Sequence, residues 1–409
     1  MTARGRHEAA ITGWAWRTPL GSTVDEVTTR LLAGERAARD NPWAGAYACT
    51  LAAPIPGDPK TQRHRKFLRR LGLFAVDAAM EALAHAGLVE GPLRSSGPAV
   101  APPASSRLGL FSGVGGLRAH WNELMPALEG QRDEGSGAWD RGLRLLHPFF
   151  MLQHLSNNAH ALIAADVGAR GEGVTFGGAS AGAQDLCAAA RAIEAEAVDA
   201  ALVVVYDSLI EPETVVELAE RGAATPAGLP LLASPYDARA GGIVPGEAAC
   251  AVVLEPRGRA GSRALVYVDA ADAADGTPGA VRAETIGHVV ARVSRGKGLD
   301  LVIDGAAQAK PDLDLAEREA LAAVLDERAT LLSIASATGY LGAATSLVQA
   351  IALGSALRGG RLPPIAGLTE PASGPFVLAA TARDTRARSA IGISAGAPGL
   401  CGAVRVELP

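Results

Sequence analysis

The sequence predicts an α/β chain made of two successive strand–helix runs, giving a mainly parallel sheet covered on both faces. Three observations carry this. Short apolar runs such as Ala200 to Tyr206 (AALVVVY) alternate with segments of helical spacing, the pattern of parallel strands joined by crossover helices. The succession occurs twice, first up to Pro256 and again from Ala264, so the chain reads as pseudo-duplicated, with halves at 1–260 and 261–409. The composition is 48% hydrophobic and only 20% charged over 409 residues, which suits a large core and exceeds the usual single-domain size.

The same figures exclude several classes. A net charge of −5 argues against a nucleic-acid partner. The four cysteines, Cys49, Cys187, Cys250 and Cys401, have no CxxC or metal-ligand spacing and read as reduced, buried thiols; no metal and no cofactor are expected. No apolar stretch reaches membrane length and the N-terminus has no apolar signal core, so a soluble cytoplasmic protein is expected.

Taken in order, His7 to Gly21 reads as a strand closing on a Pro-Leu-Gly turn, and Thr23 to Ala33 has helical spacing. Residues 36–60 read as a loop. A basic run, Arg63, Arg65, Lys66, Arg69 and Arg70, leads into an amphipathic helix ending near Ala86. Glu90 to Ser106 reads as a Pro/Ser-rich loop, Arg107 to Gly113 as a buried strand, 130–146 as a loop, and Pro148 to Ala165 as one helix carrying Asn157 and Asn158. After Gly171 come a helix at Ala183 to Ala197, the Ala200 strand, a helix at Glu213 to Ala223, and a strand ending near Pro256. In the second half, strands are expected at Ala264–Val268, Leu299–Ile303, Thr330–Ile334, Phe376–Thr381, Ser389–Ile393 and Gly402–Leu408, with helices at 279–295, 314–326 and 342–358.

The segment Gly171 to Asp185 (GEGVTFGGASAGAQD) is a strand, a glycine turn and the start of an Ala-rich helix. Such an elbow can expose a nucleophile at a helix N-terminus, where backbone N–H groups stabilise negative charge. Its tip offers Ala179, Ser180 and Ala181. Ser180 lacks a base in any nearby motif, and Cys187, two turns into the helix, reads as a buried small hydrophobe. His147, His154, His160 and His288 read as packing or surface residues.

The order of these pieces resembles the β-ketoacyl synthase family of the thiolase superfamily. ITGWAWRTPLGSTVDEVTTRLLAG is similar to the family's opening strand, turn and helix; SPYDARAGGIVPGEAACAVVLEP resembles its turn–glycine–GEG–strand signature, with Ala248 replacing the last glycine; SIASATGYLGAATSLVQA resembles its histidine-bearing segment. The resemblance implies a thiolase-like, pseudo-duplicated αβαβα layered fold. It also implies a cysteine nucleophile, two histidines and a lysine, with an oxyanion hole nearby. Carried over by position, the nucleophile falls on Ala179, the first histidine on Ala306 in Asp304-Gly305-Ala306-Ala307-Gln308, the second on Tyr340 after Thr338-Gly339, and the lysine on Ala335. The acidic residues Asp314, Glu317 and Glu319 keep the register of the first histidine segment. Ser394-Ala395-Gly396-Ala397-Pro398-Gly399 stands where the family has its Gly-Phe-Gly-Gly loop, without the gating phenylalanine.

A chain that keeps the scaffold and loses these groups resembles the chain-length factor of type II polyketide systems. That class partners an active ketosynthase in a heterodimer acting on carrier-protein-bound chains. Many chain-length factors have Gln at the lost cysteine; Ala179 departs from that. The resemblance assigns the basic run Arg63 to Arg70 to docking of an acidic acyl carrier protein, where an isolated run would read as a solvated helix start. It implies pairing through the strand near Ala200, and poor solubility of the isolated subunit. The alternatives are an acyltransferase or hydrolase using Ser180 or Cys187, and a homodimeric carrier-binding scaffold.

Overall fold

The computed structural model describes residues 9–41, 49–89, 99–100, 104–115, 123–127, 144–276, 281–294 and 301–409. Ten strands build the main sheet: β1 (Ala9–Arg17), β2 (Leu108–Val114), β3 (Gly173–Gly177), β4 (Ala200–Ser208), β5 (Glu247–Pro256), β6 (Val266–Ala274), β7 (Leu301–Asp304), β8 (Thr330–Leu332), β9 (Ser389–Gly396) and β10 (Leu400–Glu407). A two-residue strand at Val377–Leu378 adds an eleventh.

Hydrogen bonding runs Val377–Leu378, β8, β7, β9, β10, β6, β1, β5, β4, β2, β3. Each half therefore orders its strands first, fifth, fourth, second, third. The strand directions also match: β1/β5 and β5/β4 are antiparallel, β4/β2 and β2/β3 parallel. In the second half β6/β10 and β10/β9 are antiparallel, β9/β7 and β7/β8 parallel. Duplication is thus visible as topology. The halves join where Ala9–Ile11 pairs with Val266–Val268.

The helices complete five layers. Of α1 (Val24–Leu32), α2 (Arg70–His85), α3 (Phe150–His154), α4 (Asn158–Val167), α5 (Ala181–Glu194), α6 (Pro212–Glu220), α7 (Ala283–Val293), α8 (Pro311–Val324) and α9 (Thr345–Gly359), α5 and α9 touch strands of both halves and form the middle layer. Both are sheathed in sheet, and α9 is buried nearly all round, as its apolar sequence TSLVQAIALGSAL requires. α2 covers the first half-sheet and α7 the second, with α8 packed on α7. Small residues permit the close approach: Gly13 lies against the Ala82 carbonyl and Ala86 of the α2 segment, where a Cβ would collide.

Most expected elements stand where the sequence puts them, and four differ. Pro148 to Ala165 is two helices, α3 and α4, because Leu155 turns to extended backbone and the Asn158 amide donates to the carbonyls of Leu152 and Phe67 across the break. The strand expected at Ala264–Val268 continues to Ala274, since DAADAA pairs with β10 along its length; pairing overrides the weak strand propensity of alanine and aspartate. Phe376–Thr381 shrinks to Val377–Leu378. The Ala200 strand is also not a place where the sheet can extend into another molecule. β4 is hydrogen-bonded on one side to β2 and on the other to β5, which is why it is a continuous apolar run. Among the described residues the open edge of this half belongs to β3, which pairs only with β2. Most of the loops expected at Glu90–Ser106 and 130–146 lie outside the described residues.

Candidate functional site

β3 ends in the elbow. Gly178 turns the chain with φ +100°, a conformation an L side chain rarely adopts, and an added Cβ would strike the Leu400 side chain. The Ala181 N–H donates to the Gly178 carbonyl at 3.0 Å, and Ser180 immediately precedes α5, its carbonyl accepting from Ala183 and Gln184 at 3.0 Å. The helix N-terminus is therefore built. What it lacks is a reactive group. Ala179 presents only a methyl, packed against Gly396, and Ser180 is 0% exposed with Oγ unpartnered. Cys187 is buried in α5, and burial, with Asp272 adding to it, pushes its thiol up to about 12.

Ala306 follows the end of β7, buried. Its N–H donates to Glu317 Oε1 at 2.7 Å, and the Ala309 N–H donates to Asp314 Oδ1 at 3.1 Å. Ala307 and Ala309 hold positive φ, 53° and 55°, so this loop is strained and must be held from outside. The holding groups are acidic. Tyr236 donates its N–H to Asp314 Oδ2 at 3.0 Å and its hydroxyl to Glu317 at 3.2 Å. Burial, then the Asp314 charge, pushes Glu317 up to about 8, and burial pushes Asp314 up to about 6. Asp304 goes up to about 7 by burial, opposed by the N–H of Ile334 at 2.8 Å. Glu319, the third acid of that stretch, faces solvent.

Tyr340 follows Gly339, whose φ is +73°. Its N–H donates to the Val244 carbonyl at 2.8 Å and its carbonyl accepts from Gly246 at 2.9 Å, fixing it to the GEA segment. The hydroxyl donates to the Ala395 carbonyl at 2.7 Å. Ala335 opens the one-turn helix Ala335–Thr338 and, with Ala307 and Tyr340, lines a space of only 20 Å³. A second space of 130 Å³ is walled by Ala306, Tyr340, Ala395 and Gly396, with Arg221 and Lys310 among its polar lining. The fold thus brings Ala179, Ala306 and Tyr340 around Gly396, and none of the three carries a nucleophile or an imidazole.

Residues 7–260 match the family model for the β-ketoacyl synthase N-terminal domain. The chain belongs to the β-ketoacyl synthase family. No curated protein matches it by sequence. Among solved structures it is similar to a β-ketoacyl synthase from Burkholderia phymatum, with TM-score 0.84 and 21% identity over 98% of this chain and 99% of that one. The ishigamide ketosynthase/chain length factor superposes with TM-score 0.83 and 21% identity over 99% and 100%. The AntDE:AntF complex, a type II polyketide synthase acyl-carrier protein with its ketosynthase, gives TM-score 0.81 and 17% identity over 98% and 99%. At such identities the likeness establishes the ketosynthase fold.

In this ketosynthase-like chain the basic run divides. Arg70 pairs with buried Glu247 at 2.7 Å, donates to the carbonyls of Ile55 and Gly57, and stacks over Phe74. Arg63 lies 3.2 Å from Asp166, which also takes a 2.6 Å contact from His64, and Arg69 lies 3.4 Å from Glu123. Arg65 and Lys66 are exposed, with no ion pair among the described residues. The run is therefore part anchor and part surface, a division that sequence alone does not resolve.

Two further cavities lie in the first half. One of 390 Å³ lies between the start of α2 and the end of β4, walled by Arg69, Arg70, Asp207, Glu211 and Glu247; burial pushes Glu211 up to about 7. The other, of 930 Å³, lies between α3, α4 and β3. Its wall includes His160, read from sequence as a packing or surface residue, and Thr175. Both reach Ser112, and the only prior signal was a histidine set into an Ala-rich helix.

No described helix is long and apolar enough to cross a membrane. Among the described residues no group of three or more His, Cys, Asp or Glu side chains is placed to hold a metal ion.

Proposed function

We propose that this chain is a non-catalytic ketosynthase-like subunit, a chain-length factor, that pairs with an active ketosynthase in type II polyketide or polyene biosynthesis and shapes the acyl tunnel. The observation that carries the reading is Tyr340: its hydroxyl is spent on the Ala395 carbonyl, beside the methyl of Ala179, in a space of 130 Å³ that also has Ala306 in its wall. Condensation needs a thiolate for the acyl group and imidazoles for decarboxylation and the enolate. Methyl groups and a committed phenol supply neither. In this reading residues 1–260 and 261–409 are the two ketosynthase-like halves, the partners are an active ketosynthase and an acyl carrier protein, and Arg63, Arg65, Lys66 and Arg69 form the carrier-facing surface.

The open β3 edge and the exposed apolar side chains Met151, Leu152 and Leu155 beside it support an obligate partner, because an unpaired edge next to apolar surface favours association. Co-expression with a ketosynthase that has an intact Cys-His-His set, followed by size-exclusion chromatography, tests the role. A 1:1 complex is expected, with the isolated chain poorly soluble; a well-behaved monomer or homodimer indifferent to any ketosynthase sinks it. An acyltransferase or hydrolase using Ser180 or Cys187 gains no support from the geometry, since the first is sealed without a base and the second is held as a thiol.

A further inference from the structure

Three polar side chains meet at the sheet edge, away from the degenerate elbow. Ser112 Oγ of β2 lies 2.9 Å from His160 Nδ1 of α4 and 2.9 Å from Thr175 Oγ1 of β3. Ser112 is buried, while His160 and Thr175 are half-buried and line the 930 Å³ cavity. The surrounding wall is largely apolar, including Val114, Phe150, Met151, Leu155 and Phe176. Burial lowers the His160 pKa, which favours the neutral ring, with one N–H and one bare nitrogen, at pH 7 and above.

Two directions of the hydrogen-bond chain spend the proton of buried Ser112, whereas both neighbours donating to it would leave that proton buried and unpaired at a cost. In one, Thr175 donates to Ser112, Ser112 donates to Nδ1, and the imidazole proton sits on Nε2, which has no protein partner among the described residues. In the other, Nδ1–H donates to Ser112, Ser112 donates to Thr175, and the threonine hydroxyl proton is left over. Either way the triad ends in one unspent donor on a residue that lines the cavity. A donor in an apolar wall is costly to leave unpaired once a ligand has excluded water, so the site favours a chain carrying an acceptor at that depth.

We propose that Ser112, His160 and Thr175 form a specificity wall that recognises a keto oxygen on an otherwise apolar acyl chain held in this cavity. The proposal deepens the subunit reading above and rests on it for the ligand class. It assigns the chain a preference for oxidised over fully reduced acyl groups, separate from any condensation step.

Calorimetry on the co-expressed complex, its ketosynthase nucleophile replaced by alanine so that no acyl transfer intervenes, tests it with two probes, the N-acetylcysteamine thioesters of 3-oxooctanoic acid and of octanoic acid. The oxo probe is expected to bind about five- to tenfold tighter, the yield of one net hydrogen bond. His160→Phe should abolish the preference while leaving octanoyl affinity within about twofold. In the unaltered protein the His160 ring resonances should shift with the oxo probe and not with the saturated one, a readout independent of whether the variant folds. Equal affinities, binding of neither probe, a preference that survives His160→Phe, or ring resonances indifferent to the oxo probe would overturn it. The complex is isolated before the titration, so failure here is distinct from failure of the complex to form.

Discussion

The Tyr340 hydroxyl donates a 2.7 Å hydrogen bond to the Ala395 carbonyl, tying the segment ahead of α9 to the end of strand β9. The tyrosine thereby clamps these two segments together. Tyr340→Phe keeps the ring and strands a buried carbonyl. A loss of about 1–2 kcal/mol is expected, measured by urea denaturation, with assembly to the partner retained. A midpoint unchanged from the unaltered chain would remove the clamp.

Gly396 sits under Tyr340 and Ala179. A Cβ built there would run into the Tyr340 hydroxyl and the Ala179 methyl. Gly396→Ala should thus cost about 1–3 kcal/mol through overpacking, and combining it with Tyr340→Ala should cost less than the two losses added, because the second change vacates the space the methyl needs. Strict additivity in a double-mutant cycle would show that the two residues do not share that space.

The large features of this molecule were legible in its sequence because they rest on local signals. The apolar run of β4, the glycine turn at Gly178 and the Ala-rich α5 each follow from a few neighbouring residues. What escaped depends on distant partners. Arg65 and Arg70 look alike in a basic run, yet one faces solvent and the other pairs with Glu247, far along the chain. The free edge belongs to β3 rather than β4 because strand order is set by long-range pairing. Ser112, His160 and Thr175 come from three elements, and no spacing announces their meeting.

The buried acids predict a pH profile. Glu317, Asp304 and Asp314 lie near 8, 7 and 6 in the folded chain, against ordinary values of 4.5, 3.8 and 3.8. Each holds a proton after folding at pH values where the unfolded chain has released it. Their contribution is fully present below the ordinary carboxylate range and is lost as pH rises through the folded-state values. Stability should therefore fall between about pH 4 and pH 8. Glu317→Gln, which can still accept from the Ala306 N–H, should flatten the upper part of that fall. Urea midpoints at several pH values decide it, and an unaltered slope in the variant would contradict the assignment.

The cysteines should be silent in the native state. All four are buried, and burial raises every thiol, with Cys187 reaching about 12. At pH 8 only about one Cys187 in ten thousand is then thiolate. Ellman's reagent is expected to find no fast thiol in the folded protein and all four cysteines in guanidinium. A fast native thiol that maps to Cys187 would revive an acyl-transfer role for α5.

The split within the basic run gives the last prediction. Arg65→Glu and Lys66→Glu alter exposed side chains without ion pairs among the described residues, so each should leave the thermal midpoint unchanged. Both should weaken binding of an acidic carrier protein, more at low salt than at high, because exposed charges act through a screened field. Arg70→Ala should behave the opposite way. Glu247 is 3% exposed and also accepts from the Ile55 N–H at 2.8 Å, so losing its arginine leaves a buried carboxylate short of a partner. The Arg70 side chain is 39% exposed, which tempers the loss to about 1–3 kcal/mol. Carrier titration and thermal melts on the same three variants separate the roles. Stability loss at Arg65, or carrier binding indifferent to both reversals, would remove the case for this face as the docking surface.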